Sequence, residues 1–173
     1  LSIIFLILST LKYLRPQSRN TILYNIAFIV LGNIFAIVIG IMLNELFSKK
    51  LQKLYQTLIL LPQLISIIIV SYIVFAFLSN EAGLITKRLM ADSGINFYNS
   101  PGYWPFILVF VSIWKSSGYN CIIYLSAILG IDTSYNEAAM LDGASIWQRI
   151  RLITLPMIKP TILMLLILSV GRM

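Results

Sequence analysis

The sequence predicts an all-α protein, a polytopic bundle of membrane helices. Three observations carry that prediction. Hydrophobic residues make up 59% of the 173 positions and the mean hydropathy is +0.90, against roughly 45–50% apolar residues in soluble globular chains. The apolar residues come in long blocks, and with about 20 residues needed per span there is room for about four or five helices in one domain. Between two of those blocks lies a stretch with acids, bases and helix-start signals, a structured connector outside the lipid.

The formal charge is +7, yet most basic residues flank apolar blocks, where they anchor spans and face anionic lipid. Nucleic acid is therefore not an expected partner. A single cysteine, Cys121, lies inside an apolar span, and histidine is absent. That composition argues against a disulfide framework, a metal site or any cofactor. No Gly-x-x-x-x-Gly-Lys-[Ser/Thr] phosphate loop occurs, so ATP hydrolysis by that route is not expected here. A membrane-embedded enzyme would need acids, histidines or cysteines clustered at membrane depth, and the sequence offers no such cluster.

Residues 1–11 are apolar but too short to cross a bilayer unless they end a longer helix, and residues 1–18 carry no functional reading. The first complete span is read at 21–43. In it Gly32, Ala36 and Gly40 form a small-residue stripe suited to close helix packing. Glu45, Lys49, Lys50 and Lys53 mark a polar connector, and a second span follows at 57–78, with Pro62 in its first turns, where a proline is cheapest or kinks the helix.

Residues 79–104 read as a long loop on the opposite face, broken by Gly83, Gly94, Asn99, Ser100, Pro101 and Gly102. Ile85, Leu89 and Met90 suggest a short surface helix there, and Tyr98, Tyr103 and Trp104 an interfacial aromatic belt. The span at 106–129 has a polar side: Ser112, Lys115, Ser116, Tyr119, Asn120 and Ser126 share one sector, broken only by Ile123. Lys115 falls about 15 Å from the span's end at helical rise, where a charge costs at least about 2.5 kcal/mol and needs a cavity or a partner. Two readings stay open. The stripe lines a solute path, with Tyr119 and the sector-edge Tyr124 offering ring faces, Ser116 and Asn120 hydrogen bonds, and Lys115 a charge; or it is a polar contact to another helix.

Residues 130–157 contain two capping boxes, Ser134 with Glu137 and Ser145 with Gln148, so two short helices are expected, with Gly143 between them to accept positive φ. On the second, Ile146, Trp147, Ile150 and Ile153 are read as one side, flanked by Arg149 and Arg151, and Pro156 as a stop or restart. On geometry alone this is equally a plain helical loop. Residues 158–173 open a further span, sixteen residues and so incomplete, which makes the chain read as truncated. Two spans separate the 45–56 connector from the 130–157 segment, placing both on one face. Lys49, Lys50, Lys53, Arg149, Arg151 and Lys159 there outnumber Lys87 and Arg88 opposite, which favours the cytoplasm, although Lys12, Arg15 and Arg19 weaken the rule.

Glu137-Ala138-Ala139, three residues, Gly143, nine residues and then Ile153-x-Leu155-Pro156 resembles the cytoplasmic loop, the EAA motif, in permease subunits of binding-protein-dependent ABC importers. A looser resemblance over residues 19–168 is to the carbohydrate-importing branch. It rests on Leu43-Asn44-Glu45-Leu46, Leu61-Pro62-Gln63, Ile113-Trp114-Lys115 and Ile122-Ile123-Tyr124-Leu125. The resemblance implies a type I ABC importer permease fold, one transmembrane permease domain over residues 1–173, and a multi-pass place in the cell membrane. It implies a second permease subunit, ABC ATPase subunits and an external solute-binding protein as partners, with an oligosaccharide as solute. By motif position, Glu137 would touch the ATPase, Ala138 and Ala139 allow its close approach, Gly143 make the turn, and Asp142 cap or pair locally. A permease of the same build for an amino acid or phosphate, or a non-transporting scaffold, stands as the alternative.

Overall fold

A computed structural model describes residues 16–46, 48–79 and 100–171, and all regular structure among them is helical. The expected surface helix at Ile85, Leu89 and Met90, and Tyr98, lie outside the described residues.

Helix α1 (Pro16–Asn44) is apolar on every side, as a lipid-embedded helix should be. Leu31, Ile34, Phe35, Val38 and Met42 face outward, while Gly32, Asn33, Ala36, Gly40 and Leu43 form a buried line. The small-residue stripe thus packs as the sequence predicts at Ala36 and Gly40, whereas a Cβ on Gly32 would meet nothing within 4 Å. Its partner is helix α4 (Trp104–Leu129), and a Cβ placed on Gly40 would meet the Tyr124 Cβ at 3.4 Å and the Cys121 carbonyl at 3.5 Å. Such closeness matters because lipid is as apolar as the side chains, so helices associate through packing and hydrogen bonds. Ala36, Leu43, Cys121, Tyr124, Leu125 and Leu165 make the core of the bundle.

The stretch read as a single span at 57–78 is two helices. Helix α2 (Lys49–Leu64) begins inside the expected polar connector, and α3 (Ile67–Leu78) leaves it at 94°. Pro62 has no N–H to give the preceding turn, and Ile65 and Ser66 then adopt extended ψ values of 132° and 145°. Ser66 starts α3 by accepting the Ile68 N–H at 3.4 Å. Crossing of α2 over α4 takes place at Gly118. A Cβ there would run into the Ile59 carbonyl and lie 3.3 Å from the Leu60 Cα.

A second departure concerns residues 130–173. Helix α5 (Thr133–Leu141) is followed by α6 (Ile146–Arg149), and a π-helical turn at Ile150–Thr154 leads without interruption into α7 (Leu155–Val170). Pro156 neither stops nor restarts the chain, because it lies in the first turn of α7 after a widened turn in which the Leu155 N–H reaches the Ile150 carbonyl. The later half of the expected 130–157 loop is therefore the start of the last helix. In place of an incomplete span at 158–173, an apolar helix of 25 residues runs from Ile146 to Val170. Three described helices are long and apolar enough to cross a membrane, and the bent α2–α3 pair makes up to a fourth.

Replacing Gly118 by leucine is expected to destabilise the bundle by about 1–3 kcal/mol through overpacking, whereas Gly40→Ala, which adds only an ordinary contact, costs less. Thermal unfolding of both variants in detergent checks the ranking, and equal midpoints would contradict it.

Candidate functional site

Two sites emerge at the two ends of one line of structure: a polar hollow beside the middle of α4, and an exposed turn just beyond its C-terminus. The hollow, about 200 Å³, is lined by Ser116, Tyr119 and Asn120 of α4, Gln63 of α2, Asn33 and Phe28 of α1 and Ser169 of α7. A neighbouring hollow of about 210 Å³ shares Tyr119, Asn120 and Ser169 and adds apolar side chains of α7. Ser116 Oγ donates to the Ser112 carbonyl and Ser169 Oγ to the Leu165 carbonyl, both at 2.7 Å, so each hydroxyl oxygen keeps lone pairs for an incoming donor. Among the described residues the lining thus carries hydroxyl, amide and ring groups beside Ile29 and Gly32, and no charge.

Two of the five path residues anticipated from sequence are not in this lining. Tyr124 is fully buried, its hydroxyl donating to Asn33 Oδ1 at 2.7 Å while Asn33 Nδ2 donates to the Ile29 carbonyl at 2.7 Å. Five residues beyond Tyr119 is about 140° around a helix, which turns Tyr124 toward α1. Lys115 reaches sideways to the elbow between α2 and α3. Its Nζ donates to the Ile65 carbonyl at 2.6 Å and lies 3.4 Å from those of Pro62 and Gln63. A helix end leaves carbonyls short of N–H donors, and charge-assisted bonds to them offset the insertion cost of the ammonium.

Asn33, Gln63 and Ser169 are lining residues that the polar sector of α4 does not point to, Gln63 entering the sequence reading only as part of Leu61-Pro62-Gln63. Asn33 follows Gly32 in a stripe assigned wholly to packing, though an amide in the middle of an apolar span is itself a signal. Gln63 sits beside the proline near the end of α2, exposed at the edge of the hollow, and nothing local marks Ser169.

At the other end, α5 is capped by Asp132, whose carboxylate accepts the Ser134 N–H at 2.9 Å; Ser134, the expected cap, is already inside the helix. That backbone bond first, and the Ser134 hydroxyl second, hold the Asp132 carboxyl below the ordinary carboxylate range. Asp132, Thr133 and Ser134 are all capping residue types, and only the backbone decides among them. The second box forms as expected: Ser145 N–H donates to Gln148 Oε1 at 2.7 Å, and Gln148 N–H to Ser145 Oγ at 3.4 Å.

Gly143 has φ +75°, the one positive φ among the described residues, and the Ala144 N–H closes the helix end on the Ala139 carbonyl at 2.9 Å. Asp142 is the residue before it, its backbone N–H on the Ala138 carbonyl. This turn pushes apolar side chains into the open: Leu141 is 89% exposed and Trp147 80%. Glu137 and Ala138 are exposed beside them, and Ala139 is half-buried. Arg149 Nη2 lies 3.8 Å from Glu45 Oε2, joining α6 to the end of α1. At 3.8 Å, with the Glu45 side chain in solvent and Arg149 largely covered, the pair adds little stability, but it places the 45–56 connector and the α5–α6 segment at the same end of the bundle.

Residues 36–173 match the family described as "Binding-protein-dependent transport system inner membrane component". The chain belongs to that family. Among relatives of this inner-membrane component, Protein LplB of Bacillus subtilis (strain 168) is 34% identical over 155 residues, 88% of this chain and 49% of its own length. The polygalacturonan/rhamnogalacturonan transport system permease protein YteP of the same organism is 36% identical over 137 residues, 78% of this chain and 43% of its own. A crystal structure of a bacterial alginate ABC transporter, in complex with an alginate pentasaccharide-bound periplasmic protein, superposes with a TM-score of 0.82 at 36% identity. It covers 88% of this chain and 54% of that one. The chain therefore spans about half the length of these relatives, and its fold is that of an ABC permease.

Because the Asp132 pKa is lowered, the cap contributes stability above the ordinary carboxylate range and loses it as pH falls through the lowered value. The protection of the Ser134 amide, taken relative to its intrinsic exchange rate at each pH, should fall on acidification through that range and show no such step in Asp132→Asn; a step in the variant would contradict the assignment.

Proposed function

We propose that this chain forms part of the solute path of an oligosaccharide importer and takes its motion from a separate ATPase. The observation that carries the proposal is the pairing of an uncharged, hydroxyl- and amide-lined hollow at Ser116, Tyr119 and Asn120 with an exposed apolar turn at Leu141 and Trp147. Sugars present hydroxyls and apolar ring faces, which Asn120, Ser116 and the Tyr119 ring match. The carbohydrate-related relatives support the same solute class.

The sequence has no phosphate-binding loop, so the nucleotide chemistry falls to ATPase subunits docking at the α5–α6 turn, with Glu137 at the contact and Ala138, Ala139 and Gly143 permitting approach. A second permease subunit would complete the path, and an external binding protein would deliver the solute. Movement at the turn has a direct route inward. Helix α6 continues through the π turn into α7, so Ser169 in the hollow rides on the same helix as Trp147, about 33 Å away at helical rise. Closure of the ATPases would swing that lever and alternate the access of the hollow.

In the complete transporter reconstituted in liposomes, Glu137→Lys or Gly143→Asp is expected to abolish solute uptake while membrane insertion stays intact. Solute-stimulated ATPase activity at the wild-type level in either variant would overturn the coupling role. Asn120→Ala is expected to raise the KM for oligosaccharide about tenfold, the loss of one sugar hydrogen bond of about 1.4 kcal/mol; an unchanged KM would remove Asn120 from the path.

A further inference from the structure

We propose that Lys115 is a positioning residue of the solute path: it holds the α2–α3 elbow, and through it Gln63, in the wall of the hollow while keeping its own charge out of that wall. The inference rests on the path reading above. Three carbonyls surround the ammonium, those of Pro62, Gln63 and Ile65, at 3.4, 3.4 and 2.6 Å. A lysine ammonium has three N–H donors and no acceptor, so these carbonyls can take its whole donor set. They belong to residues 50 to 53 positions earlier, so the contact fixes tertiary geometry and cannot be a local helix bond.

One turn further along α4, Gly118 lies against the Ile59 and Leu60 backbone. Helix α2 is thereby pinned at two points, by a glycine that lets its backbone approach and a lysine that gathers its last carbonyls. Gln63 joins the two functions. Its carbonyl faces Lys115, while Gln63 itself lines the hollow with Ser116, the immediate neighbour of Lys115. Without the ammonium, the Pro62 carbonyl keeps the Ile65 N–H, but the Gln63 and Ile65 carbonyls lose this donor, and the elbow must rotate or draw in water to satisfy them. Gln63 would move with it. An acidic sugar entering the hollow therefore meets hydroxyls and amides, and no free cation.

The test uses the complete transporter in lipid nanodiscs, with nitroxides at Leu58 and Phe75, two outward-facing positions on either side of the elbow. Lys115→Met is expected to shift or broaden the interspin distance by several ångström, and Lys115→Arg, which keeps cationic donors, to retain the wild-type distribution. Uptake kinetics supply the second reading: Lys115→Met and Gln63→Ala each raise KM about five- to tenfold, alike for neutral and acidic oligosaccharides, and the double variant rises no further. A wild-type distance in Lys115→Met overturns the proposal. So does a KM effect confined to acidic solutes, which would assign the ammonium to the solute. If Lys115→Met fails to accumulate in the membrane, accumulation is compared across Met, Gln and Arg at 115: recovery as donors return supports the elbow role, and no recovery with Arg overturns it. Should the wild type carry no oligosaccharide at all, the path reading fails, and the distances still decide whether Lys115 holds the elbow.

Discussion

Helix α4 meets the backbone of α2 through two side-chain positions one turn apart, and the rest of the bundle depends on how that contact is made. At Gly118 the absence of a Cβ lets the Ile59 carbonyl come close. At Lys115 an ammonium collects the Gln63 and Ile65 carbonyls at the break after Pro62 and shares the Pro62 carbonyl with the Ile65 N–H. A backbone break at membrane depth is tolerable only where protein satisfies its polar groups. The lysine meets that condition, so α2 can end halfway and α3 can depart at 94°. The hollow lined by Gln63 and Asn120 exists because α2 ends there.

The opposite side of α4 is held by a different device. The α1 stripe brings backbones together, and the Tyr124–Asn33 hydrogen bond locks the register of the two helices inside the core. Polar groups that could have opened toward a solute are divided between these tasks: Tyr124 and Lys115 hold helices, while Ser116, Tyr119 and Asn120 face the hollow. At the far end the continuous run from α6 to α7 ties the exposed Trp147 to the buried Ile158 and Leu165 without a hinge of irregular chain. The π turn is the one place where that lever departs from α-helical geometry, and it lies just before Pro156, where the helix must accommodate a residue with no N–H.

Much of this was legible in the residues. The spans at α1 and α4, the packing of Ala36 and Gly40, the Ser145–Gln148 box, the positive φ at Gly143 and the shared face of connector and turn follow from local rules, whereas Gly32, read with the packing stripe, borders the hollow. The polar sector of α4 was visible too, but a helical wheel gives a direction around the axis and no neighbour. It could not show that α2 stops beside Lys115, or that Tyr124, about 140° from Tyr119, faces a buried amide on α1. Pro62 and Pro156 illustrate the same limit from both sides. Each can break a helix, yet the first sits at a sharp elbow and the second inside a continuous rod, because one has a lysine and a crossing helix to stabilise the break and the other falls in a first turn where its missing N–H costs little.

The claim on which the functional reading turns is that the apolar knob at Leu141 lies in the cytosol and is covered by another subunit. Labelling of Leu141→Cys with a membrane-impermeant maleimide, in inside-out vesicles with and without the ATPase, measures both halves of that claim. Fast labelling in stripped vesicles and strong protection when the ATPase is assembled are the predicted results. Slow labelling in both preparations, or labelling only from the external face, would contradict it.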